Sequence, residues 1–287
     1  MRYEAPETLS AALSLLAQGG GTARVLAGGT DLLVQMRAGR VAPTLLVDIK
    51  HIAELRAIAP LDGGWCVGAA VTGMELIEHE SFGEAWPGVV EAVRVIGSIQ
   101  VKGRATLAGN LCNASPAADS VPALIAADAL VTLAGPRGRR EVPVGQIATG
   151  PGRTCLAPDE ILTSFRFAAR PPRSGDAYLR FTPRTEMDIA VVGAGVSLTL
   201  DAGGVCRAAR VSLGAVADRA LLVPEAAATL VGTPIDDAAL QRLADAASAA
   251  CRPIDDKRGT REFRTTVAGV LARRATQRAL ERARRSS

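Results

Sequence analysis

Two short stretches rich in glycine and small polar residues are the parts of this sequence best suited to chemistry. The first, at 27–31, reads Ala-Gly-Gly-Thr-Asp and lies between a predicted strand and a predicted helix. Adjacent glycines adopt positive φ at low cost and let another group approach the backbone. Consecutive amides in such a turn favour an anion such as a diphosphate, and Arg24 lies just upstream. The alternative is a plain tight turn before a helix that is capped by Thr30 or Asp31.

The second stretch, Thr106–Asn110, is predicted as a loop and offers a hydroxyl, an amide side chain and small residues. The polar residues Asn113, Ser115 and Asp119 follow it. Because an ionised carboxylate only accepts hydrogen bonds, Asp119 suits the hydroxyls of a ribose or a ribityl chain. Alternatively, Asp119 caps a helix predicted over 121–127, and the two roles are compatible. Neither stretch matches the G-x-G-x-x-G fingerprint or a P-loop.

The cysteines and histidines of the sequence give little support for other kinds of reactive site. The five cysteines are odd in number, more than forty residues apart and without a C-x-x-C pair, so the local spacing of most iron–sulfur and zinc sites is missing. Two histidines, His51 and His79, nearly exclude triads and metal sites that depend on several histidines. The sequence therefore predicts neither a catalytic constellation nor a metal site.

Composition narrows the choice of partner. The net charge of +4 combines a basic segment, 257–287, with ten basic and two acidic residues, and a remainder with 23 basic and 27 acidic residues, a net of −4. A mildly acidic body and 3% aromatic residues argue against a nucleic-acid binder. In the basic segment, Phe263, Val267, Val270 and Leu271 form an apolar helical stripe, which predicts that the arginines occupy a solvated face.

The elements that must position the two stretches follow an α/β order. The predicted strands are Ala23–Leu26, Thr44–Ile49, Trp65–Ala69, Ala129–Ala134, Arg140–Val144, Glu160–Phe167, Tyr178–Thr182, Ile189–Leu200 and Cys206–Ala215. The predicted helices cover about 6–18, 32–39, 74–82, 89–96, 121–127, 224–231, 235–250 and 258–284.

The best linker is Ala169–Gly175, with two prolines and a glycine, and it predicts a domain boundary near 173. No run reaches the roughly 18 apolar residues of a membrane helix, and the N-terminus lacks the apolar core of a signal peptide. We therefore expect a cytoplasmic protein.

Taken together, these residues resemble the flavin-binding subunit of the xanthine dehydrogenase and carbon monoxide dehydrogenase family, the molybdenum hydroxylases. The matching segments are Ala27–Leu33, Gln100–Lys102, Thr106–Asn110 with Ala114, Pro116 and Asp119 at the family's spacing, Glu160–Leu162, and Asp188–Ala190. The likeness spans essentially the whole chain. Each segment alone is weak evidence, but the ordered set is specific.

The resemblance implies a mixed α/β or α+β fold in two parts. A flavin-binding domain of the kind shared with vanillyl-alcohol oxidase and UDP-N-acetylmuramate reductase would cover 1–172, with an internal break near 52–60. A smaller C-terminal α/β domain would cover 173–287. FAD is the implied cofactor, with the two stretches holding its diphosphate, Asp119 its ribityl chain, and Ile96, Leu162 and Arg180 near the flavin. The implied FAD-binding residues are Arg24, Val25, Leu26, Ala27, Gly28, Gly29, Thr30, Asp31, Leu32, Ile96, Thr106, Ala108, Gly109, Asn110, Asp119, Leu162 and Arg180.

Two of these positions depart from the family's pattern. Ala108 stands where a glycine is usual, and its methyl group fits only if φ is negative. Arg180 stands where lysine is frequent, which keeps the charge and changes the geometry.

The resemblance also implies a function in electron transfer, with the chemistry carried by the cofactor. FAD would accept electrons from the [2Fe-2S] clusters of a small subunit, while a large molybdopterin subunit hydroxylates the substrate, in a dimer of heterotrimers. The alternatives are a stand-alone flavin oxidoreductase of the same fold and a non-enzymatic scaffold with a basic, nucleic-acid-binding tail.

Overall fold

A computed structural model of the protein describes residues 1–286. The strands, in chain order, are β1 Arg2–Glu4, β2 Ala23–Leu26, β3 Leu45–Asp48, β4 Ile58–Leu61, β5 Gly64–Gly68, β6 Leu130–Gly135, β7 Gly138–Pro143, β8 Ala148–Gly150, β9 Arg153–Thr154, β10 Ile161–Phe167, β11 Ser174–Phe181, β12 Val192–Leu200, β13 Cys206–Gly214 and β14 Leu221–Leu222. The α-helices are α1 Leu9–Gln18, α2 Leu32–Arg37, α3 Gly73–Glu78, α4 Glu80–Ala85, α5 Pro87–Arg94, α6 Ile99–Lys102, α7 Leu107–Cys112, α8 Ser120–Ala126, α9 Pro224–Ala228, α10 Asp237–Ala249 and α11 Arg261–Arg285. Short 3-10 turns cover Ala53–Arg56 and Val144–Gln146.

The first fifty residues form a three-stranded parallel sheet in the order β1-β3-β2. Helix α1 begins at the N-cap Thr8, whose hydroxyl accepts the Ala11 amide, and it buries Leu9 and Leu16. In a parallel sheet the carboxyl ends of neighbouring strands lie at the same edge. The register therefore places the turn after β2 beside the residues that follow β3, with Leu26 opposite Asp48.

A second sheet, antiparallel throughout, has the order β4-β5-β10-β6-β7. Its strand β10 buries Phe165 and Phe167 completely. Between β5 and β6 the chain leaves the sheet and forms helices α3 to α8. The second polar stretch lies at the start of α7, and Asp119 immediately precedes α8.

The C-terminal sheet is antiparallel, with the order β11-β12-β13-β14, and it is covered on both faces. Helix α11 packs on one face of β11 and β12, and helices α5 and α8 pack on the other. Two glycines of this sheet lie where a helix backbone approaches the strand too closely for a side chain. A Cβ at Gly175 would overlap the Ala279 carbonyl of α11, and one at Gly195 would overlap the Pro122 carbonyl of α8.

Several predicted elements are confirmed, and others change. Strand Ala23–Leu26 has the predicted bounds. The helix predicted over 74–82 is two helices, because His79 ends α3 and caps α4 by accepting the Phe82 amide at 3.2 Å. Strands β1, β4, β8, β9 and β14 were not predicted, and none of them is longer than four residues.

Helix α11 corrects the predicted apolar stripe. Phe263 and Val270 are 42% and 41% exposed. The buried face consists mainly of small side chains, namely Ala268, Gly269, Ala272, Ala275, Ala279 and Ala283, with Leu271 and Leu280. Small side chains allow the helix backbone to approach the sheet closely.

The arginines of this helix are also not a simple solvated face. Arg264 is 3% exposed and donates to the Val191 and Ala215 carbonyls and to Asp256. Arg282 donates to Glu91 of α5 at 2.6 Å. Five of the eight arginines of α11 are nevertheless exposed, so the predicted solvated face is confirmed in part, with Arg264 as the buried exception.

Candidate functional site

A cleft with a cavity volume of about 430 Å³ lies at the edge where β2 and β3 end. Such a volume falls within the range of small-molecule sites. The cleft is lined by Arg24, Val25, Ala27, Gly28, Gly29, Thr30, Asp31, Leu32, Gln35, Val41, Ile49, Thr106, Ala108, Gly109, Cys112, Asn113, Gly152, Leu156, Glu160, Ile161 and Leu162. The two polar stretches, which lie about eighty residues apart in sequence, therefore meet in one cleft.

The turn Ala27–Asp31 needs its two glycines for different reasons. Gly29 has φ of +78°, which L side chains rarely adopt. Gly28 is buried, and a Cβ there would overlap the Arg104 carbonyl just before the second stretch. Gly28 thus permits contact between the two stretches, whereas Gly29 sets the course of the turn.

The amides of this turn are unpaired. Within residues 1–286, those of Gly28, Gly29, Thr30 and Asp31 donate no hydrogen bond to another protein group. Asp31 occupies the N-cap position of α2 without a side-chain cap bond, so the plain capped turn is not what forms. Four successive free N–H groups beside a cleft fit an anionic ligand.

The second stretch is the start of a helix, and its prediction as a loop is wrong. Thr106 is the N-cap of α7, and its hydroxyl accepts the Gly109 amide at 2.9 Å. Ala108 lies inside this helix, where φ is negative, so its methyl group is accommodated and lines the cleft. Asn110 points its side-chain oxygen toward α8, accepting the amide and hydroxyl of Ser120.

Asp119 forms a buried cluster with Tyr178 and Arg180 of β11. The Tyr178 hydroxyl donates to Oδ1 at 2.9 Å, and Arg180 Nη1 donates to Oδ2 at 2.8 Å. Burial raises the pKa of Asp119 to about 6, although Arg180 and Tyr178 oppose the rise. Asp119 occupies the N-cap position of α8, as the alternative predicted, but its side chain makes no cap bond. A carboxylate has about four acceptor positions, so capacity for a ligand remains.

The other predicted residues divide by position. Arg24 lines the cleft but is exposed, and it donates to the Gly21 and Ala23 carbonyls at 2.9 and 2.8 Å. Val25, Leu32 and Leu162 are apolar lining residues. Leu26 is buried in the core, and Ile96, Asn110, Asp119 and Arg180 lie outside the lining of this cleft.

Sequence reasoning missed several lining residues. Gln35 Nε2 donates to Asn113 Oδ1 at 2.8 Å, which joins α2 to the residue after α7. Gln35 follows the predicted Leu32 by three residues, so the helical repeat alone would have placed both on one face. Cys112 gave no signal in sequence. Burial raises the pKa of its thiol to about 12, with a smaller contribution from nearby Cys155, so it stays protonated.

The described part of the chain has neither a group of metal-ligating side chains nor a helix suited to a membrane. No group of three or more His, Cys, Asp or Glu side chains is arranged there to hold a metal ion. Among its helices, none has both the length and the apolar character needed to cross a bilayer.

Comparisons with known proteins assign the chain to a family. The model of the family "FAD binding domain in molybdopterin dehydrogenase" matches residues 1–168, more than half of the chain. The chain belongs to this family. A second model, "CO dehydrogenase flavoprotein C-terminal domain", matches residues 177–279. The chain is thus a flavoprotein subunit of an oxidoreductase, with FAD as cofactor and a C-terminal domain after the FAD-binding one.

Individual relatives agree with this assignment over nearly the full length. The chain is 34% identical to the carbon monoxide dehydrogenase medium chain of Afipia carboxidovorans, covering 98% of this chain and 97% of the relative. It is 31% identical to the putative xanthine dehydrogenase FAD-binding subunit of Escherichia coli, covering 97% and 95%. A solved structure of carbon monoxide dehydrogenase from Hydrogenophaga pseudoflava has a TM-score of 0.94 at 34% identity, covering 98% of both chains.

Proposed function

We propose that the chain is the electron-transferring FAD subunit of a molybdenum hydroxylase complex. When bound, FAD would accept electrons from the [2Fe-2S] clusters of a partner subunit and pass them to an external acceptor. The observation that carries the proposal is the row of unpaired amides at Gly28–Asp31, which line a cleft of suitable size. The group they fit is anionic, and the FAD diphosphate is the anionic part of the family's cofactor.

Each part of the proposed site has a defined task. The turn amides bind the diphosphate, together with the N-terminal turn of α7, where Thr106 and Gly109 lie. Arg24 adds positive charge at the rim. Aliphatic side chains such as Leu162 exclude water from the cofactor. The remaining positions of the site are Val25, Leu26, Ala27, Leu32 and Ala108, with Asn110 holding α7 against α8.

Asp119 would accept hydrogen bonds from the ribityl hydroxyls, with Ile96 and Arg180 nearer to the flavin. Since Tyr178 and Arg180 fix both carboxylate oxygens, the remaining acceptor positions have a defined direction. This cluster also links the cofactor site to β11. We therefore propose that the C-terminal domain helps to shape the FAD site.

We further propose a flavin-binding domain of the vanillyl-alcohol oxidase and UDP-N-acetylmuramate reductase type over 1–172, followed by a separate domain over 173–287. The parallel sheet ends at Asp48 and the antiparallel sheet begins at Ile58, which supports an internal break near 52–60. Two separate hydrophobic cores, one mainly before and one mainly after residue 173, support the boundary.

The proposed partners are a small [2Fe-2S] subunit and a large molybdopterin subunit, in a dimer of heterotrimers. The support is the name "medium chain" of the relatives and the lack, in residues 1–286, of a cysteine or histidine cluster for a metal. We also place the complex in the cytoplasm, where five free thiols suit a reducing compartment.

The structure favours this function over the nucleic-acid alternative. In α11, Arg278 and Arg282 pair with Glu91, and Arg273 pairs with Asp237. Arginines engaged in this way offer less charge to a phosphate backbone.

The function is tested by mixing the purified full chain with FAD and removing free ligand by desalting. We expect one FAD per chain to remain, with flavin absorbance shifted from that of free FAD and quenched or altered fluorescence. A chain that elutes without flavin at every ligand concentration would refute the FAD site. Co-expression with candidate small and large subunits then tests the complex, since reduction of bound FAD by substrate requires all three chains.

A further inference from the structure

Two successive carbonyl oxygens of the cleft turn, those of Ala27 and Gly28, each accept a hydrogen bond from a cationic side chain. Lys50 Nζ donates to the Ala27 carbonyl at 3.1 Å, and Arg104 Nε donates to the Gly28 carbonyl at 3.3 Å. Lys50 follows strand β3, whereas Arg104 lies shortly before α7. Two separate parts of the chain therefore converge on two successive peptide groups.

Peptide geometry links these carbonyls to the free amides. In a planar trans peptide the C=O and the following N–H point in opposite directions, and the described residues contain no cis peptide. Fixing the Ala27 carbonyl thus fixes the Gly28 amide, and fixing the Gly28 carbonyl fixes the Gly29 amide. The two amides are turned away from the two cations, and both glycines line the cleft.

Lys50 is itself held in place. Its Nζ donates to both carboxylate oxygens of Asp48, at 2.7 and 2.6 Å, and the Tyr3 hydroxyl donates to the same carboxylate at 2.6 Å. Asp48 is 2% exposed and also accepts the Lys50 amide. Ordering a lysine side chain costs much rotamer freedom, and a mobile Lys50 would lose it when the ligand binds. Here the buried carboxylate fixes it before any ligand arrives.

We propose that Lys50 and Arg104 are positioning residues for diphosphate binding. They hold the turn so that the Gly28 and Gly29 amides are aligned for the anion, and Asp48 and Tyr3 keep Lys50 in place. This inference rests on the proposed function, because it assumes that the FAD diphosphate binds at the turn. Preorganised donors bind more tightly since less order is lost on binding.

The test compares FAD with riboflavin, which lacks the diphosphate, on the purified full-length chain. We expect Lys50→Met to raise the Kd for FAD about tenfold and Arg104→Met about threefold, since the Arg104 hydrogen bond is longer and the Arg104 residue is exposed. The Kd for riboflavin stays within about twofold of wild type in both variants. Lys50→Arg keeps the charge and donors and restores FAD binding to within about threefold.

Lys257→Met is the matched control, because it removes the same charge at an exposed position of the C-terminal part. Thermal unfolding of each variant shows whether it is folded. If Lys50→Met is unstable, Asp48→Asn tests the same positioning of Lys50, because it weakens the carboxylate that holds the Lys50 side chain. Unchanged FAD affinity in Lys50→Met would overturn the inference. Equal loss of FAD and riboflavin binding would overturn it too, as would failure of Lys50→Arg to restore binding. If the wild-type chain binds no FAD, the proposed function fails instead.

Discussion

Two regions of the proposed FAD site, the cleft turn Gly28–Asp31 and the buried cluster around Asp119 outside the cleft lining, differ in whether their polar groups have protein partners. At Gly28–Asp31 four amides line the cleft without a protein partner. At Asp119, by contrast, both carboxylate oxygens already accept hydrogen bonds from Tyr178 and Arg180. The turn is therefore built for a ligand, while the Asp119 cluster also serves the fold. We expect changes in the turn to alter FAD affinity, and changes in the cluster to alter stability as well.

The largest effect is expected in the Asp119 cluster. Asp119→Ala leaves the Arg180 guanidinium buried without its carboxylate, which should cost about 3 kcal/mol of unfolding free energy. Denaturant unfolding of the chain measures it. The double variant Asp119→Ala/Arg180→Met should recover part of the loss, because no unpaired charge remains. A double variant less stable than Asp119→Ala would show that the pair is not coupled in this way.

In the cleft turn, by contrast, we expect a substitution to lower the affinity for FAD more than it lowers stability. Gly29→Ala places a side chain at φ of +78°, next to Leu26 and Leu33, and moves the amides. We expect a rise of about thirtyfold in the Kd for FAD, equivalent to about 2 kcal/mol. Gly20→Ala is the matched control, since Gly20 also has positive φ, +54°, but lies in open space. Similar stability with weak FAD binding only in Gly29→Ala is the predicted pattern, measured by thermal unfolding and fluorescence titration. Equal affinities would contradict it.

A milder change separates the two roles of the cluster. Tyr178→Phe removes one hydrogen bond to Asp119 and keeps the ring in the core, so we expect a loss of about 1 kcal/mol in unfolding free energy. The same variant should weaken FAD binding only slightly, because Arg180 still holds the carboxylate. A large loss of FAD with unchanged stability would mean that Tyr178 contacts the cofactor rather than the fold.

The smallest expected effect is the pH dependence of the stability that Asp48, the partner of Lys50, contributes. Burial alone raises the pKa of Asp48, but hydrogen bonds from Lys50 and Tyr3 lower it by more, so it ends below its ordinary value. A lowered folded-state pKa contributes stability above the unfolded pKa, near 3.9, and that contribution is lost as pH falls through the folded pKa. The stability difference between wild type and Asp48→Asn should therefore shrink below about pH 4. A difference that grows on acidification would contradict this sign.

Local signals predicted the first stretch well. Strand Ala23–Leu26 and the turn after it are determined by residues close together in sequence. The apolar residues indicate the strand, and the two glycines indicate the turn. The second stretch was misassigned because α7 has six residues, too few for a helical repeat to show. Thr106, three residues before Gly109, was the available sign of an N-cap.

Contacts between distant residues could not be predicted from one sequence. Asp119 meets Tyr178 and Arg180 about sixty residues away. Strand alternation puts Tyr178 and Arg180 on one face, but the contact of that face with Asp119 follows only from the packing of α8 against β11. The same holds for Lys50, since its contact with Ala27 depends on β2 and β3 being neighbours. The close packing of α11 was hidden for another reason: alanines carry the buried face, and they give little hydrophobic pattern.

The central claim is that the turn amides bind the FAD diphosphate. Its most direct test is an experimental structure of the full chain saturated with FAD. We predict diphosphate oxygens within hydrogen-bond distance of the amides of Gly28–Asp31, with Lys50 and Arg104 still on the carbonyls of Ala27 and Gly28. A diphosphate bound elsewhere, with these amides still unpaired, would contradict the account.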